Sequence, residues 1–213
     1  MHVPVLLNEV IDAFSSLKGK ADLVYFDGTF GRGGHYSKLN ELYKISEAFA
    51  TDQDLRAIEY AHKNFPQVKI SHENFYDFSL HNKNKLDMAL LDLGVSSPQL
   101  DESDRGFSFM RDGPLDMRMN TKEGQSAKDI VNNYSAEQLQ NILGFYGEVI
   151  NAKTLANKIV EHRAIQPIET TKDLVEVCKT VSKGIEVKYL SQISSMSYNP
   201  FELRIDRKST RLN

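Results

Sequence analysis

The chain has 213 residues, 40% hydrophobic and 26% charged, enough to build a core for one domain or for one domain carrying a smaller insert. No apolar run approaches the roughly 18 residues of a membrane span, and the N-terminus lacks the basic start and apolar length of a signal peptide. The single cysteine, Cys178, excludes an internal disulfide and cysteine-based zinc clusters, and a net charge of −3 shows no overall basic footprint while leaving room for a local basic face. A chain of this kind is expected in the cytoplasm, without a metal; its oligomeric state is not encoded in any pattern we recognise.

Four short apolar runs come first: Leu23-Val24-Tyr25-Phe26, Ala48-Phe49-Ala50, Val68-Lys69-Ile70 and Met88-Ala89-Leu90-Leu91, about every 20 residues. Between them, residues 35–44 and 54–64 read as helices, the second with Leu55, Ile58 and Ala61 at helical spacing. Nearly continuous apolar strands alternating with helices predict a parallel sheet buried on both faces, the start of a doubly wound α/β fold.

The segment Asp27-Gly28-Thr29-Phe30-Gly31-Arg32-Gly33-Gly34-His35 joins the first strand to the first helix. Glycines at that junction allow a tight turn and a close ligand approach. The second strand ends at Asp52, 19 residues after Gly33, where a carboxylate accepts hydrogen bonds from ribose hydroxyls. Which nucleotide is meant follows from two details. Tyr36 stands where a dinucleotide fingerprint needs a small residue, and Asp27 beside the glycines suits a cationic ligand better than a diphosphate. S-adenosylmethionine, with an ammonium and a sulfonium and no phosphate, is therefore favoured over a nicotinamide cofactor. Asp92, at the end of the fourth strand, is expected to point into the same crevice.

Residues 93–124 lack periodicity and collect Gly, Ser, Pro, Asp and Arg, predicting a long functional loop. Within it, Arg105 to Arg118 interleaves three arginines with Phe107 and Phe109. Such a loop either stacks and grips nucleotides or folds over the cofactor with its phenylalanines buried. From 126 to 183 the pattern is helical. Ser126 to Asp129, Ser135 to Gln138 and Thr170 to Asp173 are helix-start signals, and Ala152, Leu155, Ala156 and Ile159 share one face, with Lys153, Lys158 and Glu161 outside. Cys178, among Leu174, Val175, Val177 and Val181, is expected to be a buried core thiol.

Several segments, in order, carry a more specific likeness: His2-x-Pro4-Val5-Leu6-Leu7-x-Glu9, Asp27 to His35, Leu91 to Gln99, Arg105 to Met119, Gly124 to Ala127 and Tyr146-Gly147-Glu148. With them the chain resembles the MraW/RsmH-type small-subunit rRNA (cytosine-N4)-methyltransferases. The resemblance implies a Rossmann-like class I methyltransferase sheet, incomplete at about four parallel strands, with an inserted helical subdomain. The expected divisions are 1–104 for the cofactor domain, 105–185 for the active-site loop and helical insertion, and 186–213 for an incomplete return segment and non-native tail.

The same resemblance implies that Gly33, Gly34 and His35 hold the methionine end of S-adenosylmethionine, that Asp52 binds its ribose, that Phe75 lies beside its adenine, and that Asp92 and Gln99 complete the pocket. Read without the family, Phe75 is better taken as a core aromatic. Arg105, Phe107 and Arg111 become candidates for contacting small-subunit ribosomal RNA or a ribosomal particle; no catalytic residue is assigned. The family usually has a small hydroxyl residue at the place of Tyr36 and a second acid at that of Val149. Pro200 to Ile205 matches a family stretch one residue short, after which the likeness ends. The chain is therefore expected to be truncated, with its fourth strand at an open edge. Two other readings stay open: a non-catalytic remnant that keeps the S-adenosylmethionine pocket, and an NAD-dependent oxidoreductase.

Overall fold

The structure, a computed structural model, describes residues 4–95, 97–108, 110–147 and 149–181. The expected return segment and tail, with Phe109 and Glu148, lie outside the described residues. Contacts divide the chain into two units between Leu93 and Gly94. The loss of periodicity at 93 marks this break, whereas the expected boundary at 104/105 does not coincide with it. Residues 94–104 belong with the second unit, where Gly113 lies so close to the Ser103 carbonyl that a side chain would collide with it.

The first unit runs α1 (Leu7–Ala13), β1 (Leu23–Asp27), α2 (Gly34–Leu42), β2 (Ile45–Asp52), α3 (Leu55–Asn64), β3 (Lys69–His72), α4 (Phe75–His81) and β4 (Met88–Leu90). Its four strands are parallel in the order β3-β2-β1-β4, the expected Rossmann-like half-sheet. Strand pleating sends alternate side chains to opposite faces. Accordingly Tyr25 joins Leu39 of α2 and Ala61 of α3 in one apolar cluster. Phe26, the next residue, packs with Phe75 and Phe78 of α4 in another, its ring parallel to that of Phe78 at 4.3 Å. This double burial explains why the strand residues read as apolar runs rather than as alternating ones.

Among the described residues β4 pairs with β1 alone. It is only three residues long, and Ala89 is exposed on it.

The second unit contains α5 (Ser97–Asp101), α6 (Ala127–Asn133), α7 (Ala136–Phe145), α8 (Ala152–Arg163) and α9 (Thr171–Lys179). Ser126, Ser135 and Thr170 each form a reciprocal capping box with the residue three places on, as their spacing predicts. Ala152, Leu155, Ala156 and Ile159 of α8 are buried with Leu139 and Leu143 of α7 and Leu174 of α9. Cys178 lies in this core, where burial pushes its thiol up to about 12, far from the reactive range. No helix among the described residues is long and apolar enough to cross a membrane.

Burial separates leucines that composition treats alike. Leu39→Ala, which opens a cavity against the sheet, is expected to cost about 2–5 kcal/mol in urea denaturation. Leu80→Ala, at a side chain 69% exposed, is expected to stay within about 0.5 kcal/mol of the parent.

Candidate cofactor site

Every strand of a parallel sheet delivers its C-terminal residue to one end, and there the first unit is stitched across three strands. Past Asp27 the chain turns between its neighbours: the Gly28 N–H donates to the Leu90 carbonyl at 2.9 Å, and the Thr51 hydroxyl donates to the Gly28 carbonyl at 3.0 Å. Phe30 N–H reaches the Thr51 carbonyl at 3.1 Å. Gly31 N–H then donates to Asp52 Oδ2 at 2.8 Å, fixing the glycine loop against the tip of β2. On the other side the Asp92 N–H donates to Thr29 Oγ1 at 2.7 Å, fixing the segment after β4. The tips carrying the Gly31–Gly34 turn, Asp52 and Asp92 thus adjoin one another.

Gly33 caps α2 from the left-handed region, φ 67°, and a Cβ there would lie 2.7 Å from the Phe65 ring and 2.8 Å from that of Phe30. Only glycine meets both demands. It aims the first turn of α2 along the loop, and the N–H groups of that turn have no partner within the helix, the ordinary setting for a carboxylate. Tyr36 lies behind them, 3% exposed, stacked on Tyr25 at 5.9 Å between ring centres and packed against Phe30 and Phe65. The space in which a dinucleotide fingerprint keeps helix and strand close is filled here by an aromatic cluster.

The electrostatics of this end are acidic. Asp27 is buried, and burial pushes its carboxyl up to about 6, against the Tyr25 hydroxyl and Thr29 N–H that donate to it at 2.8 and 3.1 Å. Asp52 is also raised by burial, partly offset by the N–H groups of Asp54 and Gly31. Asp92 is exposed. The one arginine of the loop, Arg32, has its guanidinium 4.5 Å from the centre of the Tyr60 ring. The donor set therefore fits a cationic adenosine derivative: carboxylates for a diol and for positive charge, and first-turn N–H groups for a carboxylate.

Other expected site residues fall in different settings. Phe75, at the first turn of α4, is buried against Gly28 and the Phe26–Phe78 cluster, so it serves the core and lies beside the loop as well. The His35 ring is buried with Nε2 3.0 Å from the Val5 carbonyl, which leaves the backbone as its contribution to a ligand. Gln99 is buried in α5 of the second unit.

Two of the loop's three RNA-contact candidates are buried. Phe107 is 0% exposed inside the helical core, and Arg105 is 4% exposed, donating to the Arg118 and Met119 carbonyls. Both shape the loop from within, together with the two-pronged Arg118–Asp116 pair at 2.8 and 2.7 Å. Arg111 alone of the three is exposed, donating to the Asp101 carbonyl.

The sequence reading gives no separate role to Thr29 and Thr51, whose hydroxyls tie the strand tips, or to Pro4 and Val5 of its first motif, whose proline lies against Gly34. Threonine in a loop carries no periodic signal, and the contact of Pro4 with Gly34 spans thirty residues.

A family model described as the MraW methylase family matches residues 1–195. The chain belongs to that family. It is 48% identical over 193 residues to the ribosomal RNA small subunit methyltransferase H of Bdellovibrio bacteriovorus, covering 88% of this chain and 58% of that protein. The proteins of the same name from Ruthia magnifica and Clostridium botulinum are 41% and 45% identical, with 88% of this chain matching 63% and 62% of theirs. The chain thus spans about three fifths of the length of these relatives.

The raised Asp27 carboxyl has a measurable consequence. Between the unfolded value near 4 and the folded value of about 6, the unfolded chain gives up a proton that the folded chain keeps, so this group's contribution to stability falls as pH rises through that window. Asp27→Asn, which keeps partners for Tyr25 and Thr29, is expected to remove it. Parallel urea titrations should show the parent losing up to about 3 kcal/mol relative to the variant from pH 4 to pH 6.5. A constant difference would place the Asp27 carboxyl in its ordinary range.

Proposed function

We propose that this chain is an S-adenosylmethionine-dependent methyltransferase acting on the exocyclic N4 of a cytosine in small-subunit ribosomal RNA, either free or in a ribosomal particle, in the cytoplasm. The observation that carries the proposal is the meeting of Asp27, Asp52 and Asp92 at the stitched strand tips. The relatives, whose name specifies methyl transfer to small-subunit ribosomal RNA, support the substrate class.

In this reading the backbone of Gly33, Gly34 and His35 holds the methionine carboxylate at the start of α2. Asp52 accepts from the ribose hydroxyls, and the face of Phe75 lies beside the adenine. Asp92 carries negative charge toward the ammonium and sulfonium. S-adenosylmethionine supplies an electrophilic methyl group on a positively charged sulfur. The N4 lone pair forms the new C–N bond as the S–C bond breaks toward sulfur, and the amine afterwards releases one proton to water. The N4 lone pair is delocalised into the cytosine ring, so the protein's main contribution is alignment of donor and acceptor. A stacked cytosine must first leave its stack. Arg111 is the proposed RNA contact of the loop, with Arg105 and Phe107 holding the loop's shape from inside.

Thermal-shift and calorimetric titrations test the pocket. S-adenosylhomocysteine should stabilise the chain, by about 2.7 kcal/mol at a hundred times its Kd, and NAD should not. Asp52→Ala should weaken S-adenosylhomocysteine binding by about ten- to a hundredfold. Labelled methyl groups incubated with small-subunit particles should be recovered as N4-methylcytidine after nuclease digestion. Stabilisation by NAD alone would turn the reading to an oxidoreductase. Binding of S-adenosylhomocysteine without methyl transfer would leave a non-catalytic binding protein.

A further inference from the structure

The end of the sheet opposite the cofactor site carries the reverse charge. Four segments lead into the parallel strands there: 18–22 before β1, 43–44 before β2, 63–68 before β3 and 82–87 before β4. They bring Lys18, Lys20, Lys44, Lys63, Lys83 and Lys85 to one edge, all exposed, with Asp22 and Asp87 as the only acids of those segments. Backbone bonds hold three of these segments together. The Lys44 carbonyl accepts from the Leu23 N–H at 3.1 Å, and the Val24 carbonyl accepts from the Asp87 N–H at 2.9 Å, so the entries to β2 and β4 flank that of β1. The Asp87 carboxylate is engaged by the Val24 N–H at 2.9 Å.

None of these six lysines takes part in the ion pairs found among the described residues, whereas Lys38, Lys69, Lys128 and Lys158 each have a carboxylate partner. A net charge of −3 over the chain thus conceals a first unit with carboxylates at its strand tips and unpaired lysines at its strand entries. Unpaired like charges held together by topology oppose folding unless a polyanion neutralises them. The four segments offer no exposed aromatic ring, since Tyr43 is buried and Phe65 is half-buried in the aromatic cluster. That chemistry fits phosphates and not unstacked bases.

We propose that the strand-entry edge is a second RNA-binding surface, gripping the sugar–phosphate backbone of structured RNA without reading its sequence while the strand-tip end holds the cofactor. The proposal rests on the RNA-substrate reading above and extends it. The eight residues of β2 set the separation at about 26 Å, at about 3.3 Å per residue. A duplex arm of a ribosomal RNA can therefore be held at a distance from the base being modified. Lysines on short loops supply point charges that follow a phosphate backbone, and each bound phosphate releases counterions and steepens the salt dependence of binding.

The test is the combined variant Lys20→Gln, Lys44→Gln, Lys83→Gln, Lys85→Gln, titrated by fluorescence anisotropy with a small-subunit ribosomal RNA fragment over a range of potassium chloride. At about 0.1 M salt the variant should bind about tenfold or more weakly, and the slope of log affinity against log salt should fall by about 3, since each lost phosphate contact removes roughly 0.7–0.9. S-adenosylhomocysteine affinity should be unchanged, and so should RNA binding by the control Lys128→Gln, Lys158→Gln. An unchanged slope in the combined variant overturns the proposal. So does lysine-dependent binding to vesicles containing phosphatidylserine with none to RNA, which would make the edge a membrane-facing surface. Lysine-dependent RNA binding without methyl transfer would sink the enzymatic reading and leave this surface standing; methyl transfer with lysine-independent binding would do the opposite.

Discussion

The bond from the Gly31 N–H to the Asp52 carboxylate is the constraint on which the rest of the first unit depends. A glycine loop between a strand and a helix is common, and by itself it fixes no pocket. Here the loop is held to β2 by Asp52 and Thr51, and to the end of β4 by Gly28 and Thr29. The aspartate that the functional reading assigns to the ribose therefore also sets the shape of the loop meant for the methionine end. One Asp52 oxygen takes the Gly31 N–H and the other the Asp54 N–H, and each keeps capacity to accept from a ligand.

Burial shapes the charge of the same place. Asp27 lies deepest, held by Tyr25 and Thr29 and carrying a carboxyl that resists ionisation, while Asp92 is out in solvent. A cation arriving beside Asp27 would relieve that resistance, so ligand charge and proton release are coupled at this site. Tyr36 works by packing instead. Its ring fills the space between α2 and β1, which keeps the helix near the strand without the small residue a dinucleotide site employs.

Much of the fold was legible in the sequence because its signals are local. Apolar runs such as Leu23 to Phe26 need both faces covered, and Tyr25 and Phe26 do face two different clusters. The capping boxes at Ser126, Ser135 and Thr170 lie within four residues and were readable for the same reason. What escaped was long-range. The composition of the loop leaves open whether Phe107 and Arg105 meet a nucleotide or turn inward, and their burial is seen only in the packed chain. The α4 helix was passed over because its seven residues give too short a stretch for periodicity. The lysine edge is invisible in the sequence: its six residues are spread over 68 positions and are united only by the parallel topology that puts every strand entry at one end.

The stitched, acidic strand tips rest on the bonds of Asp52, Thr51 and Thr29 and on the burial of Asp27. The most direct test is an NMR titration of the labelled chain with S-adenosylhomocysteine, following backbone amides. Shifts concentrated at Gly31, Gly33, Gly34, His35, Asp52 and Asp92, saturating together, are the predicted result. Saturable binding whose shifts fall elsewhere, with those amides unmoved, would contradict the account.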